Sequence, residues 1–332
     1  MMRMKKIVVD IYGADAGPIP IIQGIADAMG EIEELHPVFA GSQRLVRETL
    51  GALGVDEKCY TVLDTEEFVS MEDDPSTVFS GREKTSLVMA LNYLKEHTDC
   101  TAMLSPGNTG ALLVGAIVHL GMLPGVKKPV LCSALPCSGR ELLCLVDCGA
   151  NIDCKPKDLL QFARMGSTFI AALCGMDNPR VGLMSVGRED CKGNALTLET
   201  ARLLWESSLN FVGNLEGSDM ITDYADVIVT DGFMGNVILK NTEAVGLQAA
   251  QLVEELLEKV PQEQKPTLVE LREELFRRYA FNSRGGATFL GPKKPIIKMH
   301  GCANRYTAHA CVLQALRLEK AGFIPALEQA IQ

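Results

Sequence analysis

Four common signatures of nucleotide, ester and metal chemistry are missing from this chain. It contains no G-x-G-x-x-G turn, no G-x-x-x-x-G-K-[ST] loop, no G-x-S-x-G elbow and no H-E-x-x-H helix. A dinucleotide fingerprint, a P-loop, a hydrolase nucleophile and a zincin site are therefore not what the sequence offers. Also lacking is a surplus of positive charge: 32 Lys and Arg face 42 Asp and Glu, a net charge of −10. General nucleic-acid binding needs a basic face, so that class is set aside, although a local basic pocket is not. No window approaches the ~20 apolar residues of a membrane span, and the apolar run after Met1 is too short for a signal peptide. The 11 Cys form no C-x-x-C pair, and Cys132, Cys144 and Cys174 lie within apolar segments. That usage fits reduced, core-filling thiols rather than a disulfide framework or zinc site. Cys148 and Cys302 stand beside glycines in predicted loops, where a reactive thiol is the alternative to a packed one.

What remains is an ordinary globular composition, 47% hydrophobic and 22% charged over 332 residues. That length favours one large or two fused α/β domains. The most informative stretch is Thr101–Gly115, TAMLSPGNTGALLVG. A buried strand ends at Leu104, a helix opens at Ala111, and Ser105-Pro106-Gly107-Asn108-Thr109-Gly110 turns between them. Glycines permit close backbone approach, and short polar side chains offer donors. The unpaired N–H groups and partial positive charge of a helix start suit an anion, while a plain Asn or Thr cap would look the same.

The turn type recurs. Asp226–Lys240 reads as strand, turn and helix, with Asp231, Gly232, Gly235 and Asn236 in the turn. Leu142–Asn151 ends a strand in Asp147-Cys148-Gly149-Ala150-Asn151, and Arg180–Asn194 ends another in a loop carrying Glu189, Asp190, Lys192 and Asn194. Four strand ends of this kind are expected to line one crevice of a mostly parallel sheet, suited to a phosphate or nucleotide. The first strand, Lys6–Asp10, runs into a loop with Asp10 and Asp15, and a Pro18 helix start follows. Asp223, Asp226 and Asp231 read as capping and turn chemistry rather than a metal cluster. Strand and helix alternate to Trp205, the pattern of βαβ units. After Lys240 the rhythm breaks into helices at Glu243–Val260 and Thr267–Asn282 around a Pro-bounded turn. Leu252, Leu256, Leu271 and Leu275 fall at helical spacing there, a helical hairpin that either packs on its own domain or pairs two copies. Its charged outer positions speak against a membrane-seeking face. The tail brings Asn282-Ser283-Arg284-Gly285-Gly286-Ala287 and a strand into His300-Gly301, where the His is either a structural hydrogen-bonder or a site residue.

The segments SPGNTGALL, LVDCGANIDCKPKDLLQFARMGS, PRVGLMSVGREDCKGN, FVGNLEG, ADVIVTDGFMGNVILK and the GGATFLG–HG tail resemble, in order and over nearly the whole chain, the phosphate acyltransferase family of bacterial phospholipid synthesis. The resemblance implies transfer of a fatty acyl group from acyl carrier protein to inorganic phosphate, with no metal and no cofactor. It also implies a cytoplasmic homodimer, peripheral at most to the inner face of the membrane, supplying a downstream membrane acyltransferase. The fold it implies is a three-layer α/β/α unit with a mostly parallel sheet, like isocitrate and isopropylmalate dehydrogenases, with residues 1–332 as one domain and a protruding hairpin at about 243–282. The chain departs from the family pattern in three places. Where DAMGGDHAP is usual, Asp10–Pro18 reads DIYGADAGP, with Ala16 at the His position; Ser80 and Gly81 replace Arg; and His300-Gly301-Cys302-Ala303 replaces HGSS.

A thioester is already activated and phosphate is largely a dianion at neutral pH, so the site must orient and stabilise rather than supply a nucleophile. Orientation can lower such a barrier by ~7–11 kcal/mol, and one oxyanion donor by ~2.7–4 kcal/mol. The phosphate-binding candidates are Ser105, Gly107, Asn108, Thr109, Gly110, Asp231, Gly232, Gly235 and Asn236. Lys192 is the candidate point charge; Asn151, Asn194 and His300 are unranked candidates for the oxyanion donor or for protonating the leaving thiolate; Asp10, Asp15 and Asp147 complete the pocket. Two rivals stay open: a metal-assisted, NAD-dependent dehydrogenase of the related fold, and a non-catalytic binder of acyl carrier protein or acyl phosphate.

Overall fold

The computed structural model describes residues 4–76, 81–137, 140–279 and 285–332. Ser80 and the loop residues Asn282, Ser283 and Arg284 fall outside them. The first half runs β1 (Lys5–Asp10), α1 (Pro18–Glu31), β2 (Leu35–Gly41), α2 (Gln43–Ala52), β3 (Thr61–Asp64), α3 (Ser86–Glu96), β4 (Cys100–Ser105) and α4 (Thr109–Gly115). Then come β5 (Val130–Cys137), β6 (Arg140–Val146), α5 (Pro156–Cys174), β7 (Arg180–Met184), α6 (Ala195–Trp205), β8 (Asn210–Leu215) and β9 (Val227–Val229). The chain closes with α7 (Gly232–Leu257), α8 (Lys265–Tyr279), β10 (Ala287–Leu290), β11 (Ile296–Lys298), α9 (Arg305–Lys320) and α10 (Phe323–Ile331). Local chemistry sets several boundaries. Pro18 opens α1, where its missing N–H costs nothing. Ser42 caps α2 by accepting from the Leu45 N–H, and Gly175 ends α5 in the left-handed region that disfavours a side chain.

The strands form one 11-stranded sheet in the order β3-β2-β1-β4-β11-β10-β5-β6-β9-β7-β8. Its pairs are parallel except β11–β10, β10–β5 and β5–β6. Three antiparallel steps leave the two outer blocks parallel within themselves and opposed to each other. A single row crosses the sheet through Val9, Leu104, Ile297, Thr288, Cys132, Val146, Val229 and Leu183. On one side the next residues are Asp10, Ser105 and Lys298; on the other they are Asp147, Thr230 and Met184. Both blocks thus deliver their carboxyl ends to the same row, from opposite directions. The sequence pattern anticipated strand ends gathered on one parallel edge; the structure gathers them by stepping two opposed blocks past each other.

Side-chain alternation places helices on both faces. Val8, Met103, Leu145 and Ile228 point to one layer, where they pack with α3 and α4 residues such as Leu91 and Leu112 and with Leu239 of α7. Ile7, Val9 and Leu104 point the other way, against α1 and α9, and Val146 and Val229 do so against α5, which supplies Phe162 and Phe169. Fully buried side chains of this size each contribute roughly 1.5–3 kcal/mol to folding.

One boundary differs from the sequence expectation in a way that matters for the site. The Gly232–Asn236 turn and the later helix are one continuous 26-residue helix, α7. Asp231 caps it by accepting from the Met234 N–H at 2.8 Å, so the predicted turn residues are the first helical turn. An Arg272–Glu254 ion pair links α8 back to α7.

The first turn of α7 lies hard against the end of β6. A Cβ built at Gly235 would sit 1.7 Å from the Asp147 carbonyl oxygen. At an open helical position Gly→Ala stabilises by roughly 0.8–1 kcal/mol. Here Gly235→Ala is expected to destabilise by about 1–3 kcal/mol, the usual range for overpacking. Thermal and urea melts check the sign; a stabilised variant would show that α7 has room to move off β6.

Candidate functional site

The β4–α4 turn is built around a buried carboxylate. Ser105 Oγ donates to Asp10 Oδ2 at 2.7 Å and accepts from the Gly107 N–H at 3.0 Å. Asn108 caps α4 through the Ala111 N–H. Its amide nitrogen faces the carbonyls of Ser70, Met71 and Asp73, at 3.1–3.4 Å. Asn108 therefore both starts a helix and latches the 70–73 loop over the turn. Asp15, exposed on the loop after β1, donates its N–H to the Gly301 carbonyl, which ties that loop to the end of the chain's last strand.

Next to this turn lies Lys298, the last residue of β11 and only 7% exposed. Its Nζ donates to the Pro106 carbonyl at 3.0 Å and to the Met299 carbonyl. Burial lowers its pKa to about 8, with Lys240 pushing the same way and Asp10 opposing. The Asp10 carboxyl is raised to about 6, chiefly by burial, while hydrogen bonds from the Ser105 hydroxyl and the Tyr12 N–H restrain the rise. Two residues on, His300 Nδ1 lies 3.2 Å from Glu243 Oε1, and Lys240 Nζ lies 2.8 Å from Glu243 Oε2. Burial lowers the His300 pKa, and Glu243 opposes the shift.

Across the row, the β6 end is organised by Asp147, which has no solvent exposure. Its Oδ1 accepts from the N–H groups of Leu131, Gly149 and Ala150, and its Oδ2 from the N–H and side-chain amide of Asn151. Asn151 Nδ2 also donates to the Pro129 carbonyl at 2.8 Å, and the Gly232 N–H donates to the Asn151 carbonyl. The N–H groups of this turn therefore face inward, to a carboxylate of the chain itself.

One cavity of about 440 Å³ joins the two sides. Its wall includes Thr109 from the opening turn, Gly149, Gly232 and Asn236 from across the row, and the cationic Lys240 and Lys298 with His300. The structure thus brings together members of four sequence-predicted loops. Lys192 and Asn194 stand elsewhere. Asn194 caps α6 through the Thr197 N–H and, with Asp231, lines a separate cavity of about 260 Å³ on the other flank of the α7 N-terminus. Lys192 is exposed on the loop that borders it. Asp223 and Asp226, weighed as metal ligands, both close on the Arg180 guanidinium. Cys148 is buried, its thiol donating to the Leu145 carbonyl, and burial pushes its pKa up, which is the packed alternative rather than the reactive one.

Lys298 was missed by the motif reading. The signal was present in Pro295–Met299, PIIKM: a Lys in a strand whose neighbours are all buried needs a specific partner, because a buried charge is costly unless paired.

Fold and cavity together define a class: an α/β protein with a large, mostly parallel sheet and flanking helices, whose cleft, where two strand blocks end, is lined by Lys240, Lys298 and His300. Its fold is similar to that of a phosphotransacetylase from Streptococcus pyogenes, with a TM-score of 0.63 at 16% identity over 96% of this chain and 95% of that one. The family model for fatty acid synthesis proteins matches residues 5–325, and the chain belongs to that family. It is similar to the phosphate acyltransferases of Clostridioides difficile (33% identical, 98% of this chain, 96% of that protein) and Bacillus licheniformis (34%, 98% of each).

The Asp10 carboxyl yields a stability prediction whose sign is fixed. Between its ordinary value of 3.8 and about 6, the native chain binds more protons there than the unfolded chain, so this group makes stability fall as pH rises across that interval. Asp10→Asn keeps an acceptor for Ser105 Oγ and is expected to flatten the melting profile from about pH 4 to about 6. A variant that retains the wild-type slope in a pH-stepped calorimetric series would rule out this assignment.

Proposed function

We propose that this chain transfers a fatty acyl group from an acyl-carrier-protein thioester to inorganic phosphate, giving the free carrier thiol and an acyl phosphate for phospholipid synthesis. The observation that carries the reading is the cleft wall, where Lys298, Lys240 and His300 converge with Thr109 and Asn236. A phosphate dianion in that cavity meets positive charge in a partly dry setting, where electrostatic attraction is stronger than in water. The relatives' name, phosphate acyltransferase, and the family's description, fatty acid synthesis protein, support an acyl group and a phosphate acceptor; the cleft offers the cations that a phosphate would meet.

In this reading Lys298 and His300 hold phosphate against the Ser105–Gly110 turn, with Thr109 facing the cavity, Gly107 keeping the turn close to Ser105 and Asp10, Gly110 packed against Pro75, and Asn108 fixing the turn's shape. Gly232, Gly235 and Asn236 bring the opposite wall to the carbonyl, with Asp231 as the cap that aims them. A phosphate oxygen forms a bond to the thioester carbon, the tetrahedral oxyanion collapses, and the carbon–sulfur bond breaks. The electron pair leaves on sulfur, and the thiolate takes its proton from solvent. Asn151 and Asp147 act through the turn they hold, and Asp10 through Ser105 and Lys298; Asp15 braces Gly301. Lys192 and Asn194, outside the cleft, take no part in this step; Asn194 caps α6 beside the adjoining cavity.

The same reading takes residues 1–332 as one unit laid out like the isocitrate and isopropylmalate dehydrogenases. The α7–α8 pair is the protruding hairpin that joins two copies. Exposed Val245, Leu252, Leu256 and Leu271 along that pair support it. No described helix is long and apolar enough to cross a membrane; a peripheral station beside a membrane acyltransferase that consumes the product belongs to the proposal.

Thiol release from hexadecanoyl acyl carrier protein is expected to require phosphate and to proceed without metal or nucleotide. Release that persists undiminished without phosphate would be hydrolysis and would end the reading. Lys298→Met is expected to lower kcat/KM for phosphate about 10- to 100-fold, the worth of one charged hydrogen bond. In the wild type, KM for phosphate should climb as pH passes about 8, where Lys298 loses its proton; Lys298→Arg should hold KM level beyond that pH, since guanidinium stays charged. Equal pH profiles for the wild type and the Arg variant would remove Lys298 from phosphate binding.

A further inference from the structure

Four large apolar side chains that line the cleft cavity are also among the exposed residues: Met71 at 53%, Ile152 at 65%, Phe233 at 62% and Val237 at 51%. They come from three separate parts of the chain. Asn108 holds the Met71 carbonyl at 3.1 Å, which sets Met71 over the β4–α4 turn. Ile152 follows Asn151, whose carbonyl receives the Gly232 N–H at 2.8 Å, so it stands next to the first turn of α7. Phe233 and Val237 are one turn apart on α7 and share a face. Scattered exposed apolar residues need no explanation, but a ring of them around one opening does.

We propose that this ring is the acyl-chain subsite: the hydrocarbon of the donor lies across Phe233 and Val237, flanked by Met71 and Ile152, while its carbonyl sits at the cationic floor. The inference rests on the acyl-transfer reading and adds the residues that recognise chain length. The occupant follows from covalent geometry. The carbonyl must reach the phosphate held at Lys298 and His300, and the chain bonded to it must leave past the exposed part of the lining, to which these four side chains belong. Floor and rim are matched to the two ends of one molecule, charge to phosphate and apolar surface to hydrocarbon. A second copy seated on the rim would instead close the cavity to any donor.

The test compares hexadecanoyl and butyryl acyl carrier protein as donors for the wild type, for Phe233→Ser/Val237→Ser and for Ile152→Ser. All three positions are solvent-exposed, and melting curves confirm that each variant folds; Ile152→Ser stands in should the double variant fail. The expected result is a rise of about tenfold or more in KM for the hexadecanoyl donor, since each CH₂ withdrawn from water counts, with butyryl and phosphate KM changed by less than about twofold. Equal losses for both donors would overturn the subsite. So would a variant whose mass by light scattering differs from wild type, because the rim would then be a contact between copies. If the wild type transfers neither acyl group, the acyl-transfer reading fails and the rim is judged by displacement of a fluorescent fatty acid with hexadecanoate. Weaker binding in the variants supports the subsite even then, and unchanged binding overturns it.

Discussion

Two buried carboxylates, one at the end of each strand block, are the constraint on which the cleft depends. Asp147 is fully surrounded: five hydrogen bonds from Leu131, Gly149, Ala150 and Asn151 converge on its two oxygens. That closure consumes the N–H groups of its turn and fixes the backbone on which the first turn of α7 rests. Asp10 is less completely held, by the Ser105 hydroxyl and the Tyr12 N–H. Its remaining charge is balanced by the field of Lys298. A carboxylate satisfied from within builds a wall; a carboxylate left partly unsatisfied keeps a cation in place beside the opening.

The buried ammonium would otherwise be hard to justify. Desolvating Lys298 costs free energy, which is why its pKa falls, and replacing a buried charge with an apolar group is often neutral or stabilising. Two backbone carbonyls and the Asp10 field recover part of that cost, but both carbonyls belong to the loops that shape the cavity. The ammonium therefore does structural work at the mouth of the very turn an anion would approach. A cation partly neutralised by dipoles and a distant carboxylate still presents net positive potential to the cavity, and binding a dianion there would raise its pKa back toward the ordinary value.

Much of this was legible in the residues. The strand–turn–helix segments at Ser105–Gly110, Asp147–Asn151 and Asp231–Asn236 were visible because Gly, Asn and Asp at strand ends have few other uses. Thr109, Gly232, Asn236 and His300 do line one cavity. What the pattern did not carry was direction. The two residues Ser138-Gly139 between β5 and β6 are too few for a parallel crossover and were a hairpin signal that the pattern reading passed over. Nothing local in β10 announces its direction, so the opposed blocks and their shared row were not legible. Donor allegiance was hidden too: whether a turn's N–H groups face an incoming anion or a carboxylate four residues back depends on side-chain rotamers, and Asp147 takes the second course. The sites of Lys192 and Asn194 show the same limit, since their loop ends a strand one position removed from β6 across β9 and opens on the far flank of α7.

The departures from the family pattern acquire a physical meaning in this arrangement. Ala16, at the usual histidine position, lies on the loop that Asp15 pins to Gly301, one residue beyond His300. A histidine at that position, as the resemblance would lead one to expect, would stand on the loop tied to the same end of the chain as His300 and Lys298. Loss of one donor from a cluster of several weakens an anion site by a fraction, whereas loss from a lone donor abolishes it, because neighbouring charges and dipoles share the same ligand oxygens. The charge that remains is concentrated on β11 and α7. Those two elements lie on opposite sides of the antiparallel step through β10 and β5, so the part of the sheet that looks least like a nucleotide-binding one is where a chain of net charge −10 gathers Lys240, Lys298 and His300 on one cavity.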